Sequence, residues 1–232
     1  MRFDDERYGM ISPGNFIPIY EMSGLITKLD RYVLQEAIQY TKELQEKGIP
    51  IIPISINFSR ISAASDSFVN EAIECIENSG LDRNIICIEV TESALATNAA
   101  IKRNVEKMRN KGIRVLMDDF GSGYSSLSTF SEMDFDILKA DMGFMGSISK
   151  ANKGKELFKY LIQFANTSNL PSIAEGVETI EQLKEVINIG ISYIQGYILA
   201  KPMPKEYYEK VLVGDYTDNE YLGESLIKLQ SN

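Results

Sequence analysis

Apolar residues along this chain switch repeatedly between two periods. Leu29, Val33, Leu34, Ala37, Ile38 and Leu44 recur at helical spacing, and Gly48 stops the run. Ile51-Ile52-Pro53-Ile54-Ser55-Ile56-Asn57 then reads as a strand ending on a polar amide. A helix is predicted over 67–78, closed by Gly80, and a strand over 85–92 with carboxylates at its far end. Another helix over 98–110 stops at Gly112, and the apolar strand 113–117 runs into Asp118 and Asp119. A short helix is predicted over 125–133, then a strand over 135–141, a helix over 154–166 and a strand over 170–178. The helix 180–189 precedes a strand over 193–197, and Pro202 and Pro204 introduce one more helix. The first 18 residues, with Gly9, Pro13-Gly14 and Pro18, read as loop.

Near-continuous apolar strands alternating with helices predict a parallel sheet covered by helices. Six strands deliver Asn57, Glu89, Asp118, Lys139, Glu175 and Gln195 at corresponding ends. A single polar strand end is explained by capping, but six at one end of six successive strands would converge on one face. That face is where a (β/α)8 barrel of the TIM type keeps its active site. A doubly wound open sheet, the alternative, would spread the same residues along an edge.

Length permits one domain, since α/β barrels reach 232 residues without splitting. We divide the chain into a domain over 1–213 and a C-terminal appendage over 214–232. A formal charge of −9 argues against a broad DNA or RNA footprint, though not against a small nucleotide held at a local cation site. No segment is long and apolar enough to span a bilayer, and residues 2–7 are too charged for a signal peptide. Cys75 and Cys87 read as reduced packing residues, and a cytoplasmic location is expected. The chain contains no His, which removes Ser-His-Asp triads, His bases and His-containing zinc sites. Any hydrolytic chemistry must use carboxylates, Lys, amides and oxygen-bound metal.

The stretch Val115-Leu116-Met117-Asp118-Asp119-Phe120-Gly121-Ser122-Gly123-Tyr124-Ser125-Ser126-Leu127 is the centre of the pattern. Adjacent carboxylates at the end of a buried strand need compensation, and hard cations such as Mg²⁺ supply it. Helix capping by Asp118 and Asp119 is the plainer alternative. A protein-kinase reading of Asp119-Phe120-Gly121 fails, because without His there is no catalytic His-Arg-Asp loop.

These residues resemble the EAL-domain family of bacterial cyclic di-GMP phosphodiesterases. Ser12-Pro13-Gly14-Asn15-Phe16-Ile17-Pro18 with Glu21 is similar to the segment after the name-giving motif. Ile56-Asn57-Phe58-Ser59, Glu89-Val90-Thr91-Glu92-Ser93, the Asp-Asp-Phe-Gly stretch, Lys139-Ala140-Asp141, Ala174-Glu175-Gly176-Val177-Glu178-Thr179 and Gln195-Gly196-Tyr197 continue the likeness. The resemblance implies two ions, Mg²⁺ or Mn²⁺. Asn57, Glu89 and Asp118 would hold one; Asp118 and Asp119 would hold the second, with Asp141 supporting its water shell. Glu175 would be a second-metal ligand or the base toward the attacking water. Lys139 would sit beside the phosphate, Gln195 would hydrogen-bond nearby, Glu92 would anchor the 120–125 loop, and Arg2 would contact substrate. A homodimer, an upstream sensory or GGDEF-type domain and a linear pGpG product are implied as well.

Two departures qualify the likeness. The name-giving Glu-Ala-Leu-x-Arg aligns with x at Met1 and Arg at Arg2, so its Glu, and about two strands before β-strand 51–57, are not in this sequence. Asp141-Met142-Gly143-Phe144 stands where the family has Asp-Arg-Ser-Phe. A catalytically silent cyclic di-GMP-binding or docking module is therefore the competing expectation to the enzyme.

Overall fold

The computed structural model describes residues 3–120, 135–141, 152–217 and 220–223. An antiparallel hairpin, Phe3–Asp5 (β1) and Gly9–Ile11 (β2), comes first, followed by helices Pro13–Met22 (α1) and Ile26–Glu46 (α2). Six parallel strands then lie side by side in chain order: Ile54–Asn57 (β3), Ile86–Thr91 (β4), Arg114–Phe120 (β5), Ile137–Asp141 (β6), Ser172–Glu175 (β7) and Tyr193–Gln195 (β8). Between them run Arg60–Ala64 (α3), Asp66–Asn78 (α4), Glu92–Thr97 (α5), Ala99–Asn110 (α6), Asn152–Thr167 (α7) and Ile180–Ile189 (α8), and Lys205–Leu212 (α9) follows β8. The expected TIM-barrel-type β/α order is present, as a curled sheet of six parallel strands.

Apolar content sets which strands are central. Ile86, Cys87, Ile88 and Val90 of β4 and Val115, Leu116 and Met117 of β5 are all buried, as strands covered on both faces require. Helices α2, α4 and α6 turn apolar stripes inward: Leu34 and Ile38, Phe68, Ala72 and Ile76, and Ile101, Val105 and Met108. Three local devices fix where helices start. The Ser65 and Asn98 side chains accept from the N–H groups of Phe68 and Ala100, and Thr179 forms a reciprocal capping box with Gln182 that opens α8. Gly190 ends α8 in the left-handed region at φ 89°, and Asn166 Nδ2 of α7 donates to its carbonyl at 2.8 Å.

Three expectations are corrected. Residues 3–11 pair as a hairpin turned over residues 6–8, with Gly9 opening β2 at φ 66°, and 13–22 are helical. Pro13 fits the first turn of α1, where its missing N–H has no helical partner to lose. Strand β4 stops at Thr91, and Glu92 starts α5, so this carboxylate belongs to a helix start rather than a strand end. The strand carrying the twin carboxylates runs on to Phe120, so Asp118 and Asp119 lie within β5 instead of after it. The predicted helix over 125–133 lies outside the described residues.

Candidate active site at the C-terminal ends of the strands

Parallel pairing places the polar strand ends in register. Asn57 lies opposite Glu89, and Glu175 lies between Asp141 on one side and Gln195 on the other. The β5–β6 register shifts between Met117 and Phe120, at the position of the two carboxylates. Asp119 there takes φ 57°, a left-handed conformation uncommon outside Gly, Asn and Asp. Its N–H turns back to donate to Asp118 Oδ1 at 3.0 Å. Non-glycine residues held in such conformations cluster at active sites and ligand clamps.

At the centre is Lys139, 3% exposed. Its ammonium lies 2.9 Å from Glu89 Oε2, 3.1 Å from Asp118 Oδ1 and 3.1 Å from Glu175 Oε2. Glu89 and Lys139 come from strands that flank β5, so their contact requires the sheet to curl, as barrel interiors do when alternate strands fill one layer. Gln195 Nε2 donates to Glu175 Oε1 at 3.3 Å, fixing the far side of that carboxylate. The structure therefore brings Glu89, Asp118, Lys139, Glu175 and Gln195 into one cluster.

The charges are strongly coupled. Burial alone would lower the Lys139 pKa, but the Glu89, Asp118 and Glu175 carboxylates outweigh it and raise the value. Burial raises the pKa of Glu175; Lys139 opposes that shift, while Asp118 and Glu89 add to it. Asp119, an exposed residue between buried Asp118 and Phe120, is also pushed up, first by partial desolvation of its carboxylate and then by the charges of Asp118 and Asp141. One ammonium among three carboxylates leaves two negative charges in excess, so the cluster attracts a cation.

The other expected site residues fall around this cluster. Asn57 lines a cavity of about 570 Å³ between β3, α1 and α2, shared with Glu21, Asp30, Ser59 and Arg60. Glu92 is wholly buried in the first turn of α5, while most of the loop it was expected to anchor lies outside the described residues. Arg2 lies outside them as well. Hard oxygen donors fit Mg²⁺ or Mn²⁺. Among the described residues, however, no group of three or more acidic or thiol side chains is arranged to hold a metal as it stands, since the carboxylates converge on the ammonium.

Two supporting residues escaped the sequence reading. Asp30, 7% exposed on the apolar stripe of α2, accepts from the Ser59 N–H at 3.0 Å and so ties down the turn after Asn57. Asp136 accepts from the Val115 N–H at 2.8 Å and pairs with Arg109, bracing the entry to β5. The Asp30 signal was in the sequence: a carboxylate at helical spacing between Ile26 and Leu34, two residues of a buried stripe.

The EAL domain model matches residues 1–202. The chain belongs to the EAL domain family. Among curated EAL relatives, the bifunctional diguanylate cyclase/cyclic di-GMP phosphodiesterase MucR of Pseudomonas aeruginosa is 30% identical over 207 residues, covering 89% of this chain and 30% of the relative. The cyclic di-GMP phosphodiesterase NbdA of the same organism is 31% identical over 215 residues, covering 91% and 27%. This chain thus spans less than a third of either relative. The structure of the MucR phosphodiesterase in complex with c-di-GMP superposes with a TM-score of 0.82 at 30% identity, covering 89% of this chain and 84% of that one. The EAL enzyme Bd1971, in a form bound to cAMP and cyclic di-GMP, superposes with a TM-score of 0.81 at 26% identity, covering 91% and 58%.

Proposed function

We propose that this chain is the cyclic di-GMP phosphodiesterase unit of a bacterial signalling protein, hydrolysing the cyclic dinucleotide to linear pGpG. The observation that carries the reading is the cluster of Glu89, Asp118, Lys139, Glu175 and Gln195 at the C-terminal strand ends, where this fold keeps its chemistry. Matching relatives named as phosphodiesterases support the substrate class.

EAL phosphodiesterases generally use divalent metals. Asn57, Glu89 and Asp118 would hold one ion, and Asp118 and Asp119 a second, with Asp141 supporting its water shell. When bound, Mg²⁺ or Mn²⁺ neutralises phosphodiester oxygens and makes water acidic enough to attack at neutral pH. Glu175, its pKa raised by burial, is suited to take the proton of that water as the new P–O bond forms, and to return it to the departing oxygen as the bridging P–O bond breaks. Gln195 keeps Glu175 aimed, and Lys139 places a positive charge beside the phosphate. The homodimer, an upstream sensory or GGDEF-type domain and a cytoplasmic setting belong to the same proposal. No helix among the described residues is long and apolar enough to cross a membrane.

One observation bears on a second reading, a silent cyclic di-GMP-binding module: the Glu89 and Asp118 carboxylates are paired with the Lys139 ammonium. Incubating the chain with cyclic di-GMP and Mn²⁺ and separating the nucleotides by chromatography distinguishes the two. Linear pGpG supports the enzyme. Retention of unchanged nucleotide on the protein supports the module.

A further inference from the structure

We propose that a groove just past the end of β8 is a guanine subsite, in which Lys201 distinguishes guanine from adenine. The proposal rests on the reading of the chain as acting on cyclic di-GMP, and adds a base contact to the phosphate chemistry at the strand ends. The groove holds about 1020 Å³, and Met10, Ser12, Tyr197, Lys201, Met203 and Tyr221 are among its lining residues. Tyr197 is 46% exposed and Met10 59%, so flat apolar surface faces open space. The polar groups on this lining are few. Ser12 precedes α1 without capping it through its side chain, and among the described residues the exposed Lys201 ammonium has no carboxylate partner. Aromatic and apolar walls with a small number of available polar groups are the usual make-up of a small-molecule site.

The chain fixes where these groups stand. Lys201 N–H donates to Tyr221 O at 2.7 Å and Ala200 pairs with Leu222, so residues 221–223 brace the segment that carries Lys201. The Tyr221 ring in turn rests against Tyr207, with centroids 5.1 Å apart. Tyr221 lies beyond the residues 1–202 that the family model matches, so this wall is built by the chain outside the matched region. Tyr197 follows Gln195, the partner of Glu175, by two residues, at most about 7 Å of backbone. One ribose joins a phosphate to its base, so a base can enter the groove while its phosphate lies at the carboxylate cluster. Tyrosine faces accept any base, because every base has a π face. The ammonium is selective, since it only donates. Guanine offers O6 and N7 as two neighbouring acceptors, whereas adenine sets an amino donor beside its N7.

Equilibrium dialysis of the whole chain against cyclic di-GMP and against cyclic di-AMP, in EDTA so that no hydrolysis intervenes, reads the base preference. Lys201→Met keeps the apolar stem and removes the ammonium. It should bind cyclic di-GMP about fivefold more weakly, the low end for a base contact because the lysine is exposed. It should bind cyclic di-AMP no more weakly than the wild type does. An equal loss for both nucleotides would place Lys201 on a phosphate and overturn the proposal, and so would an unchanged affinity for cyclic di-GMP. Tyr197→Leu should weaken cyclic di-GMP binding about fivefold or more, while Tyr197→Phe, which keeps the ring, should bind as the wild type does. Equal affinities of the Leu and Phe variants overturn the proposal, as does a wild type that does not bind cyclic di-GMP. Formation of pGpG in Mn²⁺ is a separate readout. Continued turnover with a failed base preference leaves the phosphodiesterase reading standing, and loss of both removes both.

Discussion

Asp119 combines a left-handed backbone with a carboxylate whose pKa is raised by desolvation and by Asp118 and Asp141. Asn tolerates that backbone region nearly as well and matches Asp in volume, so Asp119→Asn should fold normally. It removes one negative charge where the second ion would sit. Turnover of cyclic di-GMP should fall about a hundredfold or more, with an unchanged melting temperature by circular dichroism. If Asp119 served only as a cap, activity would survive, because Asn caps as well as Asp. Glu175 gives a prediction in pH. Its folded-state pKa lies above the ordinary value of 4.5, so the protonated form favours the fold. The stability this group contributes is full below that value and is lost as pH rises through the raised one. Without metal, Glu175→Gln should therefore melt above the wild type at neutral pH, and the gap should close near pH 4. Calorimetry across that range reads it directly.

At the scale of elements, the site depends on how tightly β7 and β8 are joined beyond their last paired residues. A Cβ added at Gly196 would lie 2.1 Å from the Val177 carbonyl oxygen, a backbone atom that cannot rotate aside. Gly196→Ala must therefore separate the ends of β7 and β8, taking Gln195 away from Glu175. We predict a stability loss of about 2 kcal/mol by urea denaturation, well beyond a neutral surface change, together with reduced turnover. Sequence made much of this level legible. Helix 180–189 is legible from its apolar spacing, and the structure shows what sharpens its ends: a Thr179 capping box at the start and left-handed Gly190 at the stop. Hairpin β1–β2 was invisible because Phe3-Asp4-Asp5 shows no alternation, and only pairing with residues 9–11 makes it a strand. Helix α3, five residues long, is too short to display a period. The carboxylates and Lys139 could be named from the strand ends, but their contact could not. Glu89 and Lys139 are 50 residues apart and meet only because the sheet curls.

For the whole molecule, the sheet order leaves β3 and β8 as its outer strands. Beyond β8, residues 221–223 pack on the segment 199–201. Lys201 N–H donates to Tyr221 O at 2.7 Å, Gly223 N–H donates to Leu199 O at 2.6 Å, and Leu222 is buried. On β3 the Ile54 and Phe58 amides point to β4, and by parallel-ladder alternation the Ser55 amide faces outward. No described strand pairs with that edge, and unpaired apolar edges recruit other chains. The protein should therefore self-associate with rising concentration in light scattering. Ser55→Pro, which removes an outward donor without removing a ladder bond, should reduce that association. A concentration-independent mass in both proteins would contradict the edge argument. The central claim is that the carboxylates gathered at the strand ends hydrolyse cyclic di-GMP. The direct test is the initial rate of pGpG formation in Mn²⁺ by the wild type and by Asp118→Asn, compared at equal folded concentration. The account predicts turnover by the wild type and a loss of about a hundredfold or more in Asp118→Asn. Equal rates in the two proteins, or no turnover by the wild type, would contradict it.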